Sequence, residues 1–371
     1  MKRRVYGGSP PRGRWRYAGV LFVGIGLVII VLLKLQALVV DNSMDDVVKN
    51  RHDLAYQNSA KANNKLAFLF LARESMPLDF LWQHFFEGSQ EHEYSIYIHT
   101  KPGYVYTKET TKCDAFLDRQ LKNSIPVGWG EASMLEAERL LLLAALQDPL
   151  NARFLLLSDS CIPLYNFAFV YDYVMSSHKS FVDSFFDHND TQYNSKMSSV
   201  IPKSAWRKGS QWFVLIRKHA EAVIADSLVF PVFQDHCKKV KLPEVWTDDT
   251  VVNKTQDNCI PDEHYIQTLL AMQEMETEIE RRTLTYSRWE NTESGKGRQG
   301  WHPVTFRFAD LTLDLISDIK SINNIHYVTE SRIEWCSSEG QPQACFLFAR
   351  KFTRGAAFRF LDLEAGYENV E

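Results

Sequence analysis

The residues best suited to chemistry stand where apolar runs of this chain end. His99-Thr100-Lys101 follows Tyr94-Ser95-Ile96-Tyr97-Ile98, and Ser158-Asp159-Ser160 follows Arg153-Phe154-Leu155-Leu156-Leu157. Polar side chains at the carboxyl ends of strands face the crevice where open α/β sheets take ligands. His99 and Asp159 are therefore candidates for holding a ribose hydroxyl or a sugar, and Asp159 serves equally well as a plain turn cap. A second cluster, Pro261-Asp262-Glu263-His264-Tyr265, sets two carboxylates behind a proline that presets a first helical turn. A carboxylate kept ionised at the positive end of a helix dipole suits a general base, although acids in first turns commonly serve structure alone. A third, Phe348-Ala349-Arg350-Lys351-Phe352-Thr353-Arg354, carries three cations beside an apolar stretch. Near a ligand they would neutralise phosphate; on an ordinary surface they would be a solvated edge.

Several chemistries are missing from the pattern. There is no GxSxG elbow, HExxH, Walker loop or GxGxxG. No DxD follows a strand, so an obligatory divalent metal is not expected, and Asp248-Asp249 sits in a polar stretch that reads as solvated. The six cysteines form no CxxC pair, which argues against zinc. A net charge of −4 argues against a nucleic-acid partner.

The elements that must position these residues follow from hydrophobic pattern. Residues 65–71, 94–99 and 153–158 read as buried strands, 179–186 and 210–216 as further strands. Helices are expected from Pro77 to Phe86, from Ser133 to about Gln147 on a capping box, over 217–228 and over 261–275. Strands alternating with helices imply an α/β domain with a mainly parallel central sheet covered on both faces. Gly295, Gly297, Gly300 and Pro303 make 290–303 a surface loop.

Residues 1–16 hold six basic side chains and no acid, and 17–40 is almost continuously apolar. This reads as a cytoplasmic tail followed by a transmembrane signal-anchor, with 41–65 a polar lumenal stem and 66–371 the catalytic domain. The cysteines all follow the apolar segment. In an oxidising lumen an even count suggests disulfides, and Cys336 and Cys345 bracket a short polar turn that a bridge would close. The remaining connectivity is open. Sequons at Asn189 and Asn253 could carry glycans in that compartment.

Segments in order along the chain resemble one family. They are Ile96-Tyr97-Ile98-His99, Gly128-Trp129-Gly130-Glu131-Ala132-Ser133 and Leu156-Leu157-Ser158-Asp159-Ser160-Cys161-Ile162-Pro163-Leu164. Trp206-Arg207-Lys208-Gly209-Ser210-Gln211-Trp212-Phe213 and Cys259-Ile260-Pro261-Asp262-Glu263-His264-Tyr265 follow. Gly300-Trp301-His302-Pro303 and Cys345-Phe346-Leu347-Phe348-Ala349-Arg350-Lys351-Phe352 complete the series. The chain resembles plant members of the Core-2/I-branching β-1,6-N-acetylglucosaminyltransferase family. It departs from them at Asp190-Thr191-Gln192, where plant relatives are more basic, and at Ile333, where they carry a second arginine after the one matching Arg332.

The resemblance implies a GT-A-like fold, a type II Golgi membrane location with the catalytic domain lumenal, and a UDP-sugar donor. It implies inverting transfer to a hydroxyl of a glycan or glycoprotein acceptor, with no cofactor and no obligatory metal. Glu263 falls on the family's catalytic carboxylate and Lys351 on a diphosphate-binding lysine. Arg332 is the candidate for an upstream arginine that assists it. Asp159 and His99 would lie on the donor side, Trp212 and Asp262 towards the acceptor with the Gly209-Ser210 turn. The alternative is a non-catalytic, Golgi-anchored glycan-binding or scaffolding member of the same fold. A glycosidase is disfavoured because nothing singles out a second carboxylate to work with Glu263.

Overall fold

The structure is a computed structural model and describes residues 64–186, 192–237, 259–289, 303–338 and 341–368. The expected tail, the membrane segment 17–40, nearly all of the stem, both sequon asparagines and most of the 290–303 loop lie outside the described residues. Among the described residues no helix is long and apolar enough to cross a membrane. Those residues belong to one compact unit, Asn63–Glu371.

Its strands are β1 (Lys65–Leu71), β2 (Tyr94–His99), β3 (Asn151–Ser158), β4 (Ile162–Pro163), β5 (Ser180–Phe181), β6 (Val214–Ile216) and β7 (Ile279–Glu280). β8 (Thr285–Ser287), β9 (Asn324–Tyr327), β10 (Arg332–Trp335), β11 (Ser337–Ser338), β12 (Gln341–Pro342) and β13 (Phe348–Arg350) follow. The helices are α1 (Asp79–Phe86), α2 (Ala132–Ala145), α3 (Phe167–Ser176), α4 (Arg217–Ala225), α5 (Val229–His236), α6 (Tyr265–Met272), α7 (Leu313–Ser321) and α8 (Arg354–Glu368).

The central sheet runs β2-β1-β3-β6-β5-β7. β1 is parallel to β2 and β3, whereas β6 is antiparallel to both β3 and β5. The sheet is therefore mixed, which corrects the expectation of a mainly parallel one. Helices α1 and α2 supply the crossovers that parallel neighbours need, but among the described residues only short 3₁₀ turns lie between β5 and β6, and the chain returns antiparallel. A smaller sheet, β4-β13-β8, lies beside it, and β9 and β10 form an antiparallel hairpin.

The apolar runs of β1 and β3 are continuous because both faces are covered. Leu66, Phe68, Phe70, Leu155 and Leu157 pack into one core with Trp82 and Phe85 of α1, Val170 of α3 and Phe360 of α8. Ala67, Leu69, Phe154 and Leu156 face the other core with Leu135 and Leu142 of α2 and Val223 of α4. Full burial of each such large side chain contributes about 1.5–3 kcal/mol, which makes this double-sided strand pair the rigid base on which the site rests.

Several element boundaries differ from the sequence pattern. β5 and β6 are shorter than expected; beyond them Phe185 and Lys208 pair by mutual backbone hydrogen bonds of 2.9 Å, and the freed segments become cavity wall. The helix expected over 261–275 is a 3₁₀ turn, Pro261–Glu263, followed by α6. α4 ends at Ala225, because the Asp226 carboxylate instead accepts from the amides of Leu228, Val229 and Phe230 and starts α5. Ser133 is not the N-cap of α2; Glu131 holds that position, and Ser133 Oγ accepts from the Gly128 amide at 3.0 Å. The Cys336–Cys345 disulfide is present, and a second joins Cys237 to Cys259. Cys113 and Cys161 are free and buried.

Candidate active site

A cavity of about 700 Å³ opens beyond the smaller sheet, between the ends of β6 and β8 and the hairpin β9–β10. Its wall is assembled from distant stretches: Asp183 and Phe185 after β5, Lys208 to Trp212 before β6, Ile260 to Glu263, Thr283 to Ser287, Tyr327, and Arg350-Lys351.

The carboxylate pair arrives on a braced segment. The Cys237–Cys259 bridge ties the residue before Ile260 to the end of α5. The Glu263 carbonyl then accepts from the Gly209 amide at 2.9 Å and from Gln267 Nε2 at 3.1 Å. His264 Nδ1 donates to the Arg207 carbonyl at 2.8 Å, and its ring stacks on Trp206 at 4.4 Å. Gly209 is required by close approach: a Cβ there would collide with the Asp183 carbonyl. The turn carrying Lys208 to Gln211 and the turn carrying the carboxylates thus form one unit.

Glu263 and Asp262 both face the cavity. Asp262 Oδ1 is enclosed and makes no hydrogen bond among the described residues. Burial pushes its carboxyl up to about 6, against the opposing pull of the Arg350 guanidinium. Behind it lies Glu138 of α2, 2% exposed, whose Oε1 accepts from Gln211 Nε2 at 2.7 Å. Burial, with Asp262 adding to it, holds the Glu138 carboxyl well above the usual carboxylate range. Asp183 is a third acid, half-buried. It accepts from the Ser210 amide at 2.8 Å and from the Tyr327 hydroxyl, and burial raises its pKa.

Cations stand close to these acids. Arg350, the last residue of β13, and Lys351 just after it both reach the cavity. The Arg350 guanidinium lies 4.4 Å over the Trp212 ring, and its Nε is enclosed with no hydrogen-bond partner among the described residues. Burial lowers the pKa of both side chains; in Lys351 the neighbouring Arg350 and Arg73 add to that, while Asp159 opposes it. Two cations whose charged forms are disfavoured are poised to gain from an anionic ligand, which would restore what desolvation removed.

The residues expected at the site are brought together only in part. Glu263, Asp262, Trp212 and Lys351 share the cavity. Asp159 lies beside its basic end without lining it, with Oδ2 3.0 Å from Arg73 Nε. His99 is 1% exposed and accepts from the Ile125 amide at 3.1 Å; burial pushes its pKa down to about 4, so the neutral ring works as a loop clip. Arg332 does not line the cavity. It stacks 4.0 Å behind Tyr327 and is neutralised by Glu330, at 2.8 Å, and by Glu334. The third cation of the C-terminal cluster, Arg354, turns away onto Phe80 and Phe358 and pairs with Asp79 at 3.2 Å.

Pattern reasoning did not single out Arg350, Asp183, Tyr327 or Glu138. Only Arg350 carried a signal, as one of three clustered cations. Aromatic rings complete the wall: Trp129 and Trp289 are 45% and 51% exposed, and flat rings beside paired acids and bases suit a sugar's apolar face and its hydroxyls. Among the described residues no group of His, Cys, Asp or Glu is placed to hold a metal ion.

Residues 66–320 match the family model described as Core-2/I-Branching enzyme. The chain is 47% identical over 388 residues to "Glycosyltransferase BC10" of Oryza sativa subsp. japonica, an alignment covering 96% of this chain and 97% of that protein.

Proposed function

This chain belongs to the Core-2/I-branching enzyme family and is a glycosyltransferase, and we propose that it transfers a sugar from a UDP-sugar with inversion at the anomeric carbon. In this reading Glu263 takes the proton from an acceptor hydroxyl as that oxygen attacks the anomeric carbon. The bond to the nucleotide diphosphate breaks on the opposite face, and UDP leaves. Arg350 and Lys351 receive the diphosphate in place of a metal, with Asp159 and Arg73 closing the donor end. Asp262, Trp212 and Gln211 contact sugar hydroxyls. Arg332 supports this end indirectly, by holding Tyr327 against Asp183.

The observation that carries the reading is the meeting of Glu263 with Lys351 and Arg350 in one cavity, although they come from distant stretches of the chain. A base beside cations is the arrangement that separates proton removal from leaving-group stabilisation. The GT-A-like assignment rests on the α/β architecture with helices covering both faces of a mixed sheet. A type II Golgi location, the glycan or glycoprotein acceptor and independence from metal follow from the family resemblance and the basic-then-apolar N-terminus.

The test uses full-length, detergent-solubilised protein with a panel of UDP-sugars in the presence of EDTA. Wild-type protein should bind one donor saturably and hydrolyse or transfer it. Glu263→Gln should lose about 10²–10⁴-fold in turnover while binding the donor unchanged. Full turnover by that variant would refute the assignment of the base.

A further inference from the structure

We infer that a smaller cleft next to the cavity is a second sugar subsite, which takes a distal part of the acceptor glycan. Its role, though not its ligand chemistry, rests on the glycosyltransferase reading above. The cleft has about 360 Å³, near the lower end of the ~300–1,000 Å³ range of ligand sites, which fits a short glycan segment.

β10 supplies the exposed aromatic face of the cleft. Arg332-Ile333-Glu334-Trp335 alternates along an exposed hairpin, and Trp335 is 61% exposed beside the cleft. An indole left in solvent on a rigid strand is a ready platform for the apolar face of a pyranose. Arg282 lines the same cleft, 1% exposed, with Nη1 2.9 Å from the Cys345 carbonyl and Nη2 2.8 Å from the Tyr173 hydroxyl. Its Nε is enclosed and finds no hydrogen-bond partner among the described residues, while the residue lines the cleft. The rim adds acceptors in Glu280 and Glu334 and donors in Lys179 and Gln343. Lys179 and Glu280 are paired at 3.3 Å, so the rim is close to neutral.

That composition selects a class of ligand. With Glu280 paired to Lys179 and Glu334 to Arg332, the rim carries no free charge of either sign to select an ion, and its polarity disfavours an extended apolar molecule. Interleaved donors and acceptors around one aromatic face match a neutral sugar. The cleft is also braced. The Cys336–Cys345 bridge joins the residue after Trp335 to the residue whose carbonyl holds Arg282, so little ordering is needed on binding.

Its position links it to the cavity. Arg282 lines the cleft and its neighbour Thr283 lines the cavity. Glu334 and Trp335 belong to the hairpin whose other strand gives Ile325 and Tyr327 to the cavity, and the stretch from Gln343 to Phe346 passes from one to the other. A polymeric acceptor with one hydroxyl at Glu263 can therefore extend along shared walls into the cleft.

The test measures binding of galactose, xylose, glucose and mannose and of their β-linked di-, tetra- and hexasaccharides to the full-length protein by saturation-transfer NMR. One sugar series should bind more tightly as it lengthens. Trp335→Ala should cut the affinity of its hexasaccharide about tenfold, leave its monosaccharide and UDP unaffected, and be largely restored in Trp335→Phe. Should Trp335→Ala lower the melting temperature, Glu280→Gln replaces it, with a severalfold loss expected for the hexasaccharide alone. Hexasaccharides that bind no better than monosaccharides, or variants that bind them as wild type does, would overturn the subsite. Length-dependent, Trp335-dependent binding in a protein that turns over no UDP-sugar would keep the subsite and overturn the catalytic reading instead.

Discussion

Replacing Asp262 with asparagine should make the folded protein more stable at neutral pH and less active. The Asp262 carboxyl is raised to about 6 from an ordinary 3.8, chiefly by burial. The folded state therefore binds this proton more tightly than the unfolded chain, and at any pH above about 6 the ionised group opposes folding. The difference, 6 − 3.8 = 2.2 pH units, at about 1.36 kcal/mol each, amounts to about 3 kcal/mol. That cost fades as pH falls from 6 towards 4, because the folded state takes up the proton first. Asparagine keeps the volume and removes the charge. The Oδ1 position makes no hydrogen bond among the described residues, so little is forfeited there. For a folded unit of about 300 residues, roughly 3 kcal/mol corresponds to a rise of about 5 °C in Tm. Differential scanning fluorimetry of wild type and Asp262→Asn from pH 4 to pH 8 measures this directly. The gain should be largest above pH 7 and vanish near pH 4. A variant no more stable than wild type at pH 7.5, or one whose advantage is the same at both extremes, would show that the carboxylate is solvated or paired and refute the reasoning. A group retained at such a cost is a mark of function rather than of folding.

Other outcomes follow from the same geometry. Lys351→Ala should weaken UDP binding about tenfold in calorimetry, with melting temperature nearly unchanged; equal affinity would remove Lys351 from the diphosphate site. Gly209→Ala should fold poorly, because its Cβ meets the Asp183 backbone where neither strand end can retreat, and a soluble, fully active variant would contradict that packing. Opening the Cys336–Cys345 bridge with paired serines should destabilise the protein by about 2–3 kcal/mol for a loop of 9 residues, read from denaturant midpoints. Because the bridge also sets the Arg282 and Trp335 cleft, the same variant should lose hexasaccharide binding before it loses UDP binding.

The chain alone marked which residues could form buried strands and offered Asp262 and Glu263 as candidate carboxylates, between which only the family resemblance chose. Leu66 to Leu71 and Phe154 to Leu157 are apolar on both faces, as strands of a covered sheet are. Pro261-Asp262-Glu263 was visible because proline and clustered acids mark a helical start whatever packs around them. The cysteines 336 and 345 were close enough in the chain for their pairing to be read directly, whereas the partner of Cys237 was not.

Tertiary structure alone decided what each charge faces. Arg332 and Arg350 look alike in sequence, but one is stacked behind Tyr327 between two glutamates and the other lies in the cavity over Trp212. His99 sits at a strand end as a ligand-binding residue would, yet the Ile125 loop closes over it and leaves a neutral clip. Glu138 and Asp183 had no local signal at all, because their raised pKa values come from burial by elements far away in the chain. Hydrophobic pattern is a local property and survives in the sequence. Desolvation and charge pairing are sums over everything that packs nearby, and they exist only once the chain has folded.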